Sequence, residues 1–132
     1  MMPGYLADAL TLFHQYQRLA EKAMVQVDDR AFFAVSDAEA NSIAIIVKHV
    51  AGNQRSRWTD FLTTDGEKPD RDRDGEFVTA PGTSRAEVMR SWEAGWALLY
   101  RTLEALGPGD LERTVLIRGQ EHSVMQAIQR QL

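Results

Sequence analysis

The stretch Asn41–Phe77, NSIAIIVKHVAGNQRSRWTDFLTTDGEKPDRDRDGEF, decides how the rest of the chain is read. Its first half has the spacing of a helix from about Ala40 to Leu62. Ile43, Ile46, Val47, Val50, Gln54 and Phe61 fall within one arc at 3.6 residues per turn. Ile45 widens that arc, so the helix is expected to be covered on more than one side. Gly52 costs roughly 1 kcal/mol relative to Ala inside a helix, and its place here suggests a close approach by a neighbouring helix. Mid-helix, among Ile45, Ile46, Val47 and Val50, stands a single imidazole, His49. The charged stretch from Thr63 to Thr83 reads as loop, because Gly66, Pro69, Gly75, Pro81 and Gly82 interrupt any periodicity.

Upstream, Leu6, Ala9, Leu10, Phe13, Ala20 and Met24 recur at helical spacing and predict a first helix over about Tyr5 to Met24. In the connector Val27–Ala40, Phe32 and Phe33 are expected to fold back onto the bundle. Ser36 or Asp37 is expected to cap the next helix, with Glu39 near its first turn. Downstream, Ser84 with Glu87 three residues on forms a capping-box pattern. Val88, Trp92, Gly95, Trp96, Leu99, Leu103 and Leu106 then mark a buried stripe that stops at Gly107-Pro108-Gly109. Thr114–Ser123 reads as a short hairpin turning at Arg118-Gly119-Gln120. Ser123 then caps a fourth helix with Val124, Ala127, Ile128 and Leu132.

That fourth helix spans about 15 Å, against about 33 Å for the second. Three long amphipathic helices would leave apolar surface uncovered, which marks an interface or a liability. Three accounts stay open: a chain that continues in a longer protein, which the sequence reading prefers; completion of the core by a homodimer; or cover from the loop and connector.

With 132 residues, the chain fits one domain, 1–132, with a substantial core. A net charge of −4 argues against nucleic acid and anionic membrane as partners. There is no cysteine, which removes disulfides and thiolate metal sites. No apolar run approaches the roughly 20 residues of a membrane span, and MMPGYLADAL lacks the pattern of a signal peptide. The expectation is a soluble cytoplasmic protein.

His49 is the leading candidate for chemistry, as a metal ligand or general base; the alternative is an edge-of-core histidine bonded to a neighbour. Imidazole suits Zn, Ni or Fe and would need two or three further N or O ligands. His14 and His122 are weaker candidates to join it. Asp70-Arg71-Asp72-Arg73-Asp74-Gly75 resembles the start of a calcium loop, but position 12 is Pro81 rather than Glu, and Arg71 and Arg73 would repel the cation. That segment is read instead as a solvated, self-neutralising loop. Arg55, Arg57 and Trp58 could shape an anion pocket, although packing is the preferred role for Trp58, Trp92 and Trp96. No Gly-rich phosphate loop or nucleophile elbow is present.

Ser42–Asn53 (SIAIIVKHVAGN), Arg55–Pro69 (RSRWTDFLTTDGEKP), Arg73–Phe77 (RDGEF) and Ile117–Gly119 (IRG) resemble the DinB-like superfamily, in a branch of unknown function. The resemblance covers essentially the whole chain. It implies an all-α fold: a four-helix bundle with a long crossover, often dimeric, here with a short β-hairpin before a truncated fourth helix. It further implies a divalent metal and, in relatives such as mycothiol-dependent maleylpyruvate isomerase and bacillithiol transferases, a low-molecular-weight thiol partner. The expected activity is that of a metal-binding thiol-dependent transferase or hydrolase; the rival is a non-catalytic, self-associating helical module. His49 matches the family's first ligand. The other two, four residues apart on the fourth helix, correspond to positions past Leu132, so the site is expected to be incomplete here.

Overall fold

The computed structural model describes residues 4–35 and 40–132. Helix α1 spans Gly4–Met24 and buries Leu6, Ala9, Phe13 and Met24. A one-and-a-half-turn helix, α2 (Asp29–Phe33), is capped by the Asp28 side chain and inserts Phe32 into the core. Ser36, Asp37 and Glu39, the expected cap region, lie outside the described residues. The cap is supplied by Ser42, whose hydroxyl accepts from the Ile45 N–H at 3.0 Å and starts α3 at Ile43. Helix α3 runs Ile43–Trp58, shorter at both ends than the expected span, and the chain passes into turns at Thr59–Thr63.

The predicted arc is only partly buried. Val47, Gln54 and Phe61 are buried, but Ile46 is 52% exposed, and Ala44 and Ala51 take interior positions instead. After a loop holding the single-turn helix α4 (Arg73–Glu76), α5 runs Arg85–Glu104. All seven residues predicted for its stripe are buried, Leu106 just past the helix end. Ser84 accepts from the Glu87 N–H at 3.1 Å; the reverse bond of the expected capping box is not made among the described residues. A 3-10 turn over Pro108–Asp110 follows. The hairpin pairs β1 (Thr114–Ile117) with β2 (Gln120–Ser123) through Arg118 and Gly119, both at positive φ, as a right-twisted two-residue turn requires. Ser123 and Gln126 form a reciprocal capping box that opens the short α6 (Val124–Gln131).

Side-chain contacts give the helix directions. Trp92 Nε1 donates to Glu21 and Tyr100 OH to Gln17, so α5 runs antiparallel to α1. Ala51 and Gln54 meet Gly95, and Thr102 donates to the Trp58 carbonyl, so α3 and α5 run parallel. Two parallel neighbours require a long crossover, which the segment between Trp58 and Arg85 provides. Gly95, not Gly52, sets the closeness of these helices: a Cβ on Gly95 would lie 2.4 Å from Gln54 Oε1 and 3.4 Å from Ala51 Cα. Trp58, Trp92, Trp96, Leu99, Leu103, Ile117 and Ile128 fill the centre. No described helix is long and apolar enough to cross a membrane.

Candidate functional site

His49 and Gly52 are three residues apart and share a face of α3. Against that face lies α4, begun by Asp72, whose carboxylate accepts from the Gly75 N–H at 3.0 Å. Lys48 ties the far end of this turn to α3 by donating to the Gly75 carbonyl at 2.9 Å and to the Val78 carbonyl. The turn delivers Glu76 onto Gly52: a Cβ there would fall 2.1 Å from Glu76 Oε2. Glycine at 52 therefore makes room for a carboxylate rather than for a helix.

Glu76 Oε1 lies 3.0 Å from His49 Nδ1. Arg71 grips the same carboxylate in bidentate fashion, Nε to Oε2 and Nη2 to Oε1, each at 3.0 Å. The Arg71 side chain is 2% exposed and also donates through Nη1 to Glu67 at 3.3 Å. Glu67 in turn stands 3.5 Å from Arg73 and 4.0 Å from Arg118. Burial pushes the Glu76 carboxyl up, but the hydrogen bonds and charges of Arg71 and His49 prevail and hold it below its ordinary value. The hydrogen bond to Glu76 holds the Arg71 guanidinium above its ordinary value, against burial.

An ionised carboxylate only accepts, so Nδ1 of His49 carries the hydrogen, and the lone pair of the neutral tautomer that this bond selects is on Nε2. The ring rests against Phe77, centroids 5.6 Å apart, with its side chain 41% exposed. No other hydrogen bond to it is made among the described residues. A cleft of about 690 Å³ between α3, α5 and the segment 70–76 is lined by Lys48, Gly52, Arg55, Asp70, Glu76 and Arg101, among others. His49 is not in its wall; Glu76 is, and joins the two.

The structure does not bring the three histidines together. His14 is stacked on Tyr100 at 4.0 Å, and His122 sits on β2 with Nδ1 3.1 Å from the Gln120 carbonyl. No group of three His, Asp or Glu side chains that could hold a metal ion forms among the described residues. Trp58, Trp92 and Trp96 are core, in line with their packing role. Arg55 makes an exposed pair with Asp70 at 3.3 Å, whereas Arg57 is buried beside the Gly66 carbonyl.

In the segment 70–75, Asp70, Asp72, Arg73 and Asp74 are exposed, as its alternating charges suggest, but Arg71 turns inward to Glu76 and Glu67. Glu76 is the partner that sequence reading missed. Twenty-seven residues and a loop separate it from His49. The one local signal was Gly52, one helical turn from a histidine needing a partner.

The parallel α3–α5 pair, the long crossover and the hairpin before a short last helix make a mostly helical domain. Residues 2–132 match the family described as a protein of unknown function, DUF1572, itself a DinB-like family, and the chain belongs to it. No curated protein and no solved structure matches the chain.

Proposed function

We propose that this domain binds a divalent metal ion through Nε2 of His49, with Glu76 and Arg71 fixing the ring. One observation carries the reading: the relay His49 Nδ1–Glu76–Arg71, in which each bond is 3.0 Å and each group behind the ring is nearly excluded from water. Ligating histidines characteristically give their other N–H to a carboxylate, which sets the tautomer and raises the basicity of the free nitrogen. Zn, Ni and Fe accept such a donor. The fit is partial. One ligand and its orienting groups are in place, and the remaining ligands have to come from outside the described residues, from a second copy or from a bound small molecule.

A bound metal would supply Lewis acidity and lower the pKa of a coordinated thiol or water. The chain's own residues orient His49 and keep a proton on its Nδ1. Thiol-dependent transfer or hydrolysis rests on the family resemblance alone. The test is metal uptake by equilibrium dialysis with Zn²⁺ and Ni²⁺. Wild type is expected to take up stoichiometric metal, His49→Ala to lose it, and Glu76→Gln to weaken it about 10- to 100-fold. Absence of stoichiometric uptake by wild type, or full uptake by His49→Ala, would overturn the reading.

A further inference from the structure

Arg57, the next-to-last residue of α3, is 5% exposed yet has no carboxylate partner among the described residues. Its one side-chain hydrogen bond among the described residues runs from Nε to the Gly66 carbonyl at 3.5 Å. Gly66 is shaped to the guanidinium: a Cβ there would fall 2.7 Å from Arg57 Nε and 2.8 Å from Cδ. An arginine stays charged in any protein environment, and a buried charge ordinarily has a counter-charge.

The surroundings add more positive charge. Burial pushes the Arg57 guanidinium down, Arg130 of α6 pushes it the same way, and so do Arg71 and Arg118; Glu67 alone opposes them. Glu67 is already shared among Arg71, Arg73 and Arg118. Asp65 is turned to the backbone N–H groups of Glu67, Arg118 and Gly119. Arg130 makes no ion pair among the described residues.

We propose that Arg57, with Arg130 and Arg118, forms an oxyanion-binding site for the carboxylate or phosphate of a small molecule at the junction of α3, the hairpin turn and α6. A guanidinium whose fork makes no ion pair among the described residues, and which lies in the field of two further cations, matches the planar, multidentate geometry of such a group. The site does not depend on metal at His49.

The test is titration of ¹⁵N-labelled protein with sodium phosphate and, separately, sodium acetate, against sodium chloride at equal ionic strength. The Arg57 Nε–H resonance is the reporter. A saturable shift with phosphate or acetate, absent with chloride, is expected, and the tighter of the two assigns the head group. Arg130→Gln and Arg118→Gln change exposed positions and should each weaken binding by on the order of tenfold. Arg57→Met should abolish it, read from the Gly66 amide. Arg90→Gln, on the exposed face of α5, and His49→Ala should leave it unchanged. No saturable shift with either anion, or wild-type affinity in both Arg130→Gln and Arg118→Gln, would overturn the proposal. Those two variants keep the test decisive if Arg57→Met fails to fold.

Discussion

At the scale of single residues, Glu76 joins folding to the candidate site. Its carboxylate neutralises a buried arginine and orients an exposed imidazole. Removing one member of a buried pair strands the other, at a cost of about 3–5 kcal/mol, whereas replacing both by apolar groups of similar volume is far milder. Urea unfolding should therefore show a large loss in Glu76→Ala and in Arg71→Ala, and a clearly smaller one in the double variant Glu76→Leu/Arg71→Met. Because the folded-state carboxyl lies below its ordinary value, its contribution is present above the unfolded pKa and is lost as pH falls through the folded one. The difference between wild type and Glu76→Ala should accordingly be full at neutral pH and shrink below roughly pH 4. A double variant as unstable as either single one, or a difference that grows in acid, would show that the pair is not what holds α4 in place.

At the scale of elements, what could be read from the sequence was what local periodicity encodes. The stripe from Val88 to Leu106, the stop at Gly107-Pro108-Gly109, the Arg118-Gly119 turn and the Ser123 cap depend on residues close in sequence, and each is found. The misreadings arise where a distant element decides. Ile46 shares the helical period of Val47 and Val50, but no described element covers it, and it stays exposed. Gly52 and Gly95 look alike in sequence, yet one admits a carboxylate and the other a helix. Arg71 sits in a run of alternating charge, and only the placement of α4 turns it inward. Gly95 tests this scale. Alanine would gain about 1 kcal/mol of helix propensity, but its methyl would press on Gln54, which is 1% exposed and has little room to yield. Overpacking of this kind costs about 1–3 kcal/mol. Gly95→Ala is therefore expected to lower the melting temperature, and Gln54→Ala in the same chain to recover part of the loss. A stabilised Gly95→Ala would mean that α3 and α5 separate more readily than their contact implies.

At the scale of the whole molecule, the question is what the bundle leaves open. Leu12, Tyr16 and Leu19 follow one another at four- and three-residue spacing along α1 and are 38, 49 and 69% exposed. That spacing makes a stripe on one helix face, not scattered surface residues. The buried stripe of α1, Leu6, Ala9 and Phe13, already faces the core, so the second stripe has no use within the described part of the chain. Isolated apolar residues at a surface are ordinary, whereas a continuous stripe is the kind of surface that a partner covers. A second copy is the occupant available in a purified sample, and two such helices could pack ridge into groove. Sedimentation velocity is predicted to show a concentration-dependent dimer, and Tyr16→Glu/Leu19→Glu to shift it to monomer while leaving the far-ultraviolet circular dichroism unchanged. The charge pair at this stripe lies away from His49 and Arg57, so metal uptake and anion binding by the monomeric variant would tell whether either site borrows a group across the dimer. A wild-type protein that stays monomeric at all accessible concentrations would instead leave the stripe for a different chain.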